Sequence, residues 1–216
     1  MKIGVLGSGA VGKAIAGKLI QLSHEVKMGS RTSNNEKAAA WVSSAGQNAS
    51  QGTFAEAAAF GEIIFNCVKG EVALDVLKLA GENNLNGKIL IDITNALDFS
   101  KGMPPTLFIC NDNSLGETIQ KNYPAVKVVK TLNTMNCGLM VNPSQLNGDH
   151  SVFLSGNDAD AKTQVKKILA SFGWPEKNMI DVGDITTARG TEQLLPIWVR
   201  LYGVFGNANF NFNIVK

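Results

Sequence analysis

The chain has 216 residues, 44% of them hydrophobic, and a formal charge of +2 from 20 basic and 18 acidic side chains. That length can bury a substantial core, and a near-balanced charge with no basic block argues against nucleic acid as a partner. Three cysteines (Cys67, Cys110, Cys137), odd in number and far apart, fit neither a disulfide framework nor a CxxC pair and point to a reducing, cytoplasmic setting.

The apolar run at 3–6 reads as the first strand, because glycines follow at once where a signal peptide would need a longer hydrophobic stretch. Val11, Ile15, Leu19 and Leu22 then recur on one helical face. Residues 24–28 read as a second strand and 36–45 as a helix closed by Gly46. Thr53 with Glu56 makes a capping box for a short helix through Phe60. A buried strand at 62–68, a helix at 72–80 stopped by Gly81, and a strand at 88–93 after an Asn86-Gly87 turn continue the rhythm. Past a loop carrying Pro104 and Pro105, Ser114 and Glu117 repeat the capping pattern before a helix to about Asn122, and 127–131 reads as another strand. A strand at 151–155, a helix from Asp158 to Phe172, a strand at 179–182, a helix from Thr186 through Tyr202 and an Asn- and Phe-rich tail follow. Short β-branched runs alternating with helices mark an α/β protein, a doubly wound parallel sheet of Rossmann type with a small C-terminal α/β and helical extension. The expected division is a nucleotide-binding domain over 1–144 and an extension over 145–216. No apolar segment approaches the roughly 20 residues that cross a bilayer, and 194–205 is interrupted by Pro196, Arg200 and Gly203, so no membrane association is expected.

Between the first strand and first helix stands Gly7-Ser8-Gly9-Ala10-Val11-Gly12, a G-x-G-x-x-G in the context that gives the motif its meaning. Gly7 permits the tight turn, Gly9 lets the backbone approach a pyrophosphate, and Gly12 allows close packing, while the helix N-terminus offers free N–H groups to the anion. Domains that prefer NAD place an Asp or Glu at the end of the second strand for the ribose hydroxyls. Here that stretch is Gly29-Ser30-Arg31-Thr32-Ser33, a guanidinium and three hydroxyls with no acid, which favours the 2′-phosphate of NADP(H). The plainer alternative is a solvated Arg31 beside hydroxyls that cap the next helix.

Ligands of doubly wound sheets lie across the carboxyl ends of the strands. Cys67, Val68 and Lys69, then Thr94 and Asn95, therefore fall to the cofactor, and Asn133, Thr134 and Met135 to a small-molecule acceptor. Such amides and hydroxyls can pair with a carboxamide or heterocycle, and they are also ordinary turn residues. Lys69 has the reach to meet a ribose or an anion, but a lone lysine after a strand is more often a solvated charge and no catalytic role is given to it. Cys67 reads better as a small buried thiol than as a nucleophile. Neither His24 nor His150 has a visible triad partner, and no metal spacing appears. No catalytic side chain is assigned.

The opening Gly4-Val5-Leu6 with its glycine loop, Gly29-Ser30-Arg31, Asp92-Ile93-Thr94-Asn95 with Leu97-Asp98-Phe99, Asn133-Thr134-Met135-Asn136 and Ala188-Arg189-Gly190-Thr191-Glu192 resemble, in this order, the coenzyme F420-dependent NADP oxidoreductases. The likeness implies a Rossmann domain with a small C-terminal part, usually a homodimer. It implies a 2′-phosphate held at Ser30, Arg31 and Thr32, and direct hydride transfer between the nicotinamide and a deazaflavin or flavin near the strand-end loops. Aligned rings need no catalytic side chain, since proximity and orientation supply the acceleration. Imine and β-hydroxyacid reductases share such an N-terminal domain but add a large helical domain for which too little chain remains. A flavin or other small-molecule reductase and a non-catalytic NADPH sensor are the competing readings. The wide apolar spread of Leu194, Leu195, Ile197, Trp198, Leu201 and Tyr202 suggests a last helix buried both on its own domain and against a second copy, which would bring Phe205, Phe210 and Phe212 near the neighbouring active site; the alternative is a terminal helix buried within a monomer.

Overall fold

Ile3, Val5 and Leu6 retain no exposed surface, each contributing about 1.5–3 kcal/mol through burial, and they lie in the central strand of the first of two units. A computed structural model of the chain describes residues 1–215. The first unit comprises Met1–Thr94 with Tyr123–Lys127. Its elements are β1 (Lys2–Leu6), α1 (Ala10–Gln21), β2 (Glu25–Ser30), α2 (Glu36–Ala45), β3 (Ala49–Thr53), α3 (Phe54–Phe60), β4 (Ile63–Asn66), α4 (Ala73–Ala80), α5 (Glu82–Leu85) and β5 (Ile89–Asp92).

These five strands are parallel in the order β3-β2-β1-β4-β5, with Leu6 opposite both Gly29 and Asn66. The chain builds outward from β1 in one direction and then returns to build in the other, so the strand order reverses between β1 and β4. α1 and α2 pack together over β1 and β2, while α3 packs on the same strands with α4 and α5. In α1 the buried positions are Gly12, Ile15, Ala16 and Leu19, one residue displaced at its start from the stripe expected from Val11. The capping box at α3 is complete: Thr53 accepts from the Glu56 N–H, and Glu56 accepts from the Thr53 N–H at 2.7 Å. Tyr123–Lys127 joins this unit through the Gly87 N–H donating to Ala125 O at 2.8 Å and the Lys127 N–H donating to Lys88 O at 2.9 Å.

The second unit holds Asn95–Asn122 and the residues from Val128 onward. It contains β6 (Leu97–Asp98) and β7 (Thr106–Leu107), an antiparallel pair, then α6 (Leu115–Asn122) and, from its second residue, β8 (Lys127–Thr131). After α7 (Cys137–Val141) come β9 (Val152–Gly156), antiparallel to β8, then α8 (Ala159–Phe172) and β10 (Met179–Gly183), parallel to β9. α8 starts on an Asp158 side-chain cap and ends at Gly173 with φ 107°, a left-handed stop that glycine adopts without strain. Two helices follow, α9 (Ala188–Gln193) and α10 (Leu195–Phe205).

The mostly parallel strands with flanking helices make the α/β Rossmann class anticipated from the alternation of patterns. Several features differ from expectation, among them the antiparallel β9 and the short helices α5 and α7. A polar edge strand, β3, precedes α3; the Pro104-Pro105 loop is spanned by the β6–β7 hairpin; and the single terminal helix is two. Pro196 causes the last difference, because it has no N–H to carry the helical ladder across Leu194 and instead occupies the first turn of α10. Among the described residues no helix is long and apolar enough to cross a membrane.

Candidate functional site

The chain leaves β1 through Gly7, whose φ of +119° is open to glycine and strained for other residues. Its N–H donates to Gly29 O at 2.9 Å, and a Cβ there would lie 3.0 Å from Cys67 O. At Gly12 the constraint is spatial, since a Cβ would fall 2.0 Å from Gly7 O. Gly9 is different: it is exposed, has an ordinary φ of −78°, and a Cβ would meet nothing within 4 Å. It opens α1, whose N-terminus has no side-chain cap and no acid in its first turn. The free N–H groups and the positive end of the helix dipole are therefore available to an anion beside an unobstructed backbone. Ser8 and Val11 are half-buried around it and Ala10 is exposed.

Gly29 brings the end of β2 to the same side of the sheet. Ser30 is buried and its hydroxyl donates to Thr32 O at 2.6 Å, fixing the turn, while Arg31, Thr32 and Ser33 are exposed. The α2 cap is Asn35, whose Oδ1 accepts from the Ala38 N–H at 3.0 Å. The three hydroxyls of the loop thus do not cap that helix. Arg31 forms no ion pair among the described residues.

The ends of β4 and β5 are joined by buried polar side chains. Asn66 Nδ2 donates to Asp92 Oδ1 at 3.0 Å, and Thr94 Oγ1 donates to both Asp92 oxygens at 2.9 and 3.1 Å. Asn66 and Asp92 have no exposed surface, and Asn66 Oδ1 is buried without a donor. The Cys67 N–H donates to Leu6 O at 2.9 Å, holding Cys67 and Val68 beside the Gly7 turn. Burial, reinforced by the negative Asp92, pushes the Cys67 thiol well above its usual range, so it stands as a neutral packing group. Lys69 is exposed and lies 3.5 Å from Glu71, a surface pair of little energetic weight.

In the second unit Asn95 Nδ2 donates to Asn133 O at 2.9 Å, and Asn133 Nδ2 donates to Asn95 Oδ1 at 3.0 Å and to Thr191 O at 3.2 Å. The structure therefore brings Asn95 and Asn133 together, and it buries Asn133, Thr134 and Met135. Leu132, just before them, has φ +62°, a left-handed conformation costly for a leucine and characteristic of over-determined functional turns. Beneath the loop Lys130 and Glu192 pair at 2.8 Å with almost no exposed surface. The same carboxylate accepts from the Leu115 and Gly116 N–H groups at 2.8 and 3.0 Å, serving the start of α6. Asn66, Asp92, Lys130 and Glu192 were not assigned roles from sequence; buried polar residues at strand ends are the signal that marks them, and their pairings across 26 and 62 residues are visible only in the fold. No cluster of three or more potential metal ligands forms among the described residues.

Residues 2–96 match the family model described as NADP oxidoreductase, coenzyme F420-dependent. A protein from Arthrobacter sp. FB24, provisionally named an F420-dependent NADP-reductase, is 50% identical, with a TM-score of 0.94 over the whole of both chains. Metalloreductase STEAP3 of Rattus norvegicus is 29% identical over 202 residues, covering 91% of this chain, which spans 38% of that protein's length. The imine reductase of Myxococcus stipitatus, solved in complex with NADP+, shares the fold at 14% identity and TM-score 0.66, over 95% of this chain and 63% of that one.

Proposed function

The chain belongs to the coenzyme F420-dependent NADP oxidoreductase family, and from that membership we propose that it moves a hydride between NADPH and a deazaflavin such as F420, or a flavin-like ring. The observation that carries the proposal is the uncapped α1 N-terminus with open backbone at Gly9, next to an acid-free turn holding an unpaired Arg31. Pyrophosphate suits the first and a 2′-phosphate the second.

Gly7, Ser8, Gly9, Ala10, Val11 and Gly12 would hold the pyrophosphate, and Ser30, Arg31, Thr32 and Ser33 the 2′-phosphate. Cys67, Val68, Thr94 and Asn95 would line the rest of the cofactor site through backbone and small side chains, and Lys69 through its reach. Asn133, Thr134 and Met135 serve the acceptor, with the extension from residue 145 supporting it. When bound, NADPH supplies the hydride. The protein's part is to align two planar rings and keep water away, which needs no side-chain acid or base. The buried Asp92 network and the strained Leu132 support this reading, since both give fixed strand ends on which small tolerances can be held.

α10 presents Ile197, Tyr202, Val204 and Phe205 to solvent, a helical apolar face that suits a second copy of the chain in a homodimer. The three free cysteines fit a reducing cytoplasm. Equilibrium titration tests the cofactor assignment: NADPH should bind at least about tenfold tighter than NADH, as a charge-assisted contact to the extra phosphate requires. Equal affinities would overturn it.

A further inference from the structure

Residues 206–215 form no regular element, yet side chains fasten them at several points. Asn136 Nδ2 donates to the carbonyl of Ala208. The Ser151 N–H donates to Phe212 O at 2.8 Å, and Asn211 Nδ2 donates to Ser151 O at 3.0 Å and to His150 Nδ1 at 2.9 Å. Phe210 lies against Trp198 and Phe205 with ring centroids 5.2 and 5.4 Å apart.

The His150 anchor is fixed in turn. Its Nε2 is 2.9 Å from Pro143 O; a carbonyl only accepts, so Nε2 carries the proton and Nδ1 is left as the acceptor that Asn211 uses. The ring is buried and packs edge-on to Trp174 at 5.0 Å, whose Nε1 donates to Met140 O at 3.0 Å. Met140 belongs to α7, a helix of five residues, too short to hold itself in isolation.

Asn136 works in two directions. Its Oδ1 accepts from the Gly138 and Leu139 N–H groups at 2.8 and 3.2 Å, capping α7, while its Nδ2 reaches the tail. It directly follows Asn133, Thr134 and Met135, so the tail is fastened to the end of the loop assigned above to the acceptor. We propose that residues 208–212 are a strap that fixes the 133–136 loop for acceptor binding, with Asn136 as the positioning residue through which the strap acts. The inference rests on that assignment of the loop.

Two full-length variants test it from opposite ends. Asn136→Asp keeps the oxygen that caps α7 but sets a carboxylate against the Ala208 carbonyl. Asn211→Leu removes the grip on His150 and Ser151. In both, amide hydrogen exchange over 133–141 should quicken about tenfold, the loss of about 1.4 kcal/mol of local protection, while exchange in α2 stays as in the parent. Acceptor KM should rise about tenfold and the NADPH Kd stay within about twofold, a split that general loosening would not give. Unchanged exchange over 133–141 in an active enzyme, or an NADPH Kd that rises in step with acceptor KM, would overturn the strap. A parent protein inert toward both F420 and FMN would instead sink the acceptor reading and the positioning claim with it.

Discussion

Substituting alanine at two glycines of one loop separates folding from binding. At Gly12 the new methyl would sit 2.0 Å from Gly7 O and 2.9 Å from Gly7 C, backbone atoms that no rotamer change can move. The turn must shift by more than an ångström, and overpacking of this kind costs about 3 kcal/mol. In a chain of this size that corresponds to a Tm lower by roughly 6–12 °C. At Gly9 the methyl meets nothing within 4 Å, and φ −78° with ψ −172° suits any residue. The stability cost there is the poorer alanine N-cap, on the order of 0.5–1 kcal/mol. The methyl does stand where a pyrophosphate must come close to the backbone, so NADPH affinity should fall at least about tenfold. Calorimetry and fluorescence titration on both variants read the two effects separately. A Gly12→Ala protein with the parent's Tm, or a Gly9→Ala protein that binds NADPH as tightly as the parent, would refute the reasoning.

Arg31→Ala should weaken NADPH binding by about 1–3 kcal/mol and leave NADH almost untouched; equal losses in paired titrations would remove Arg31 from the 2′-phosphate site. Glu192→Gln removes the negative partner of the buried Lys130 and should cost about 3–5 kcal/mol in denaturant unfolding, whereas Lys130→Met combined with Glu192→Gln, which keeps an oxygen for the start of α6, should recover part of it. A double variant worse than the single would show that the pair is not the reason. The Arg189 guanidinium, helped by Ser114 and opposed by burial, holds the Glu117 carboxyl below its ordinary 4.5. The folded chain therefore binds that proton less tightly than the unfolded one. The stabilisation is complete above pH 4.5 and disappears as pH falls through the lower folded value. Glu117→Gln should flatten the acid limb of stability against pH, and an unchanged limb would discount the pair.

The sheet's central strands and the glycine loop could be read in advance because their signals are local. Apolar runs such as Ile63 to Phe65 and a G-x-G-x-x-G between strand and helix need no distant partner to be understood. β3, Ala-Ser-Gln-Gly-Thr, was invisible for the opposite reason: as an edge strand it has little apolar surface to bury, and its pairing with β2 comes from the backbone. The break at Leu194 was written in Pro196, but the apolar pattern on either side masks it. At the candidate site, residue types were legible and connections were not. Nothing in the spacing tells that Asn133 is held by Asn95 and Thr191, or that Glu192 reaches both Lys130 and the start of α6. The C-terminal Asn and Phe residues looked like a tail, and only His150, Ser151 and Asn136, far away in sequence, make them an anchored segment.

The hydride transfer we propose runs between NADPH and a deazaflavin or flavin. Anaerobic oxidation of NADPH, followed by its absorbance with F420 and FMN offered separately and NADH as control donor, tests it most directly. Sustained turnover with F420 or FMN that depends on NADPH and fails with NADH is the predicted result. Tight NADPH binding without turnover on either acceptor would contradict it.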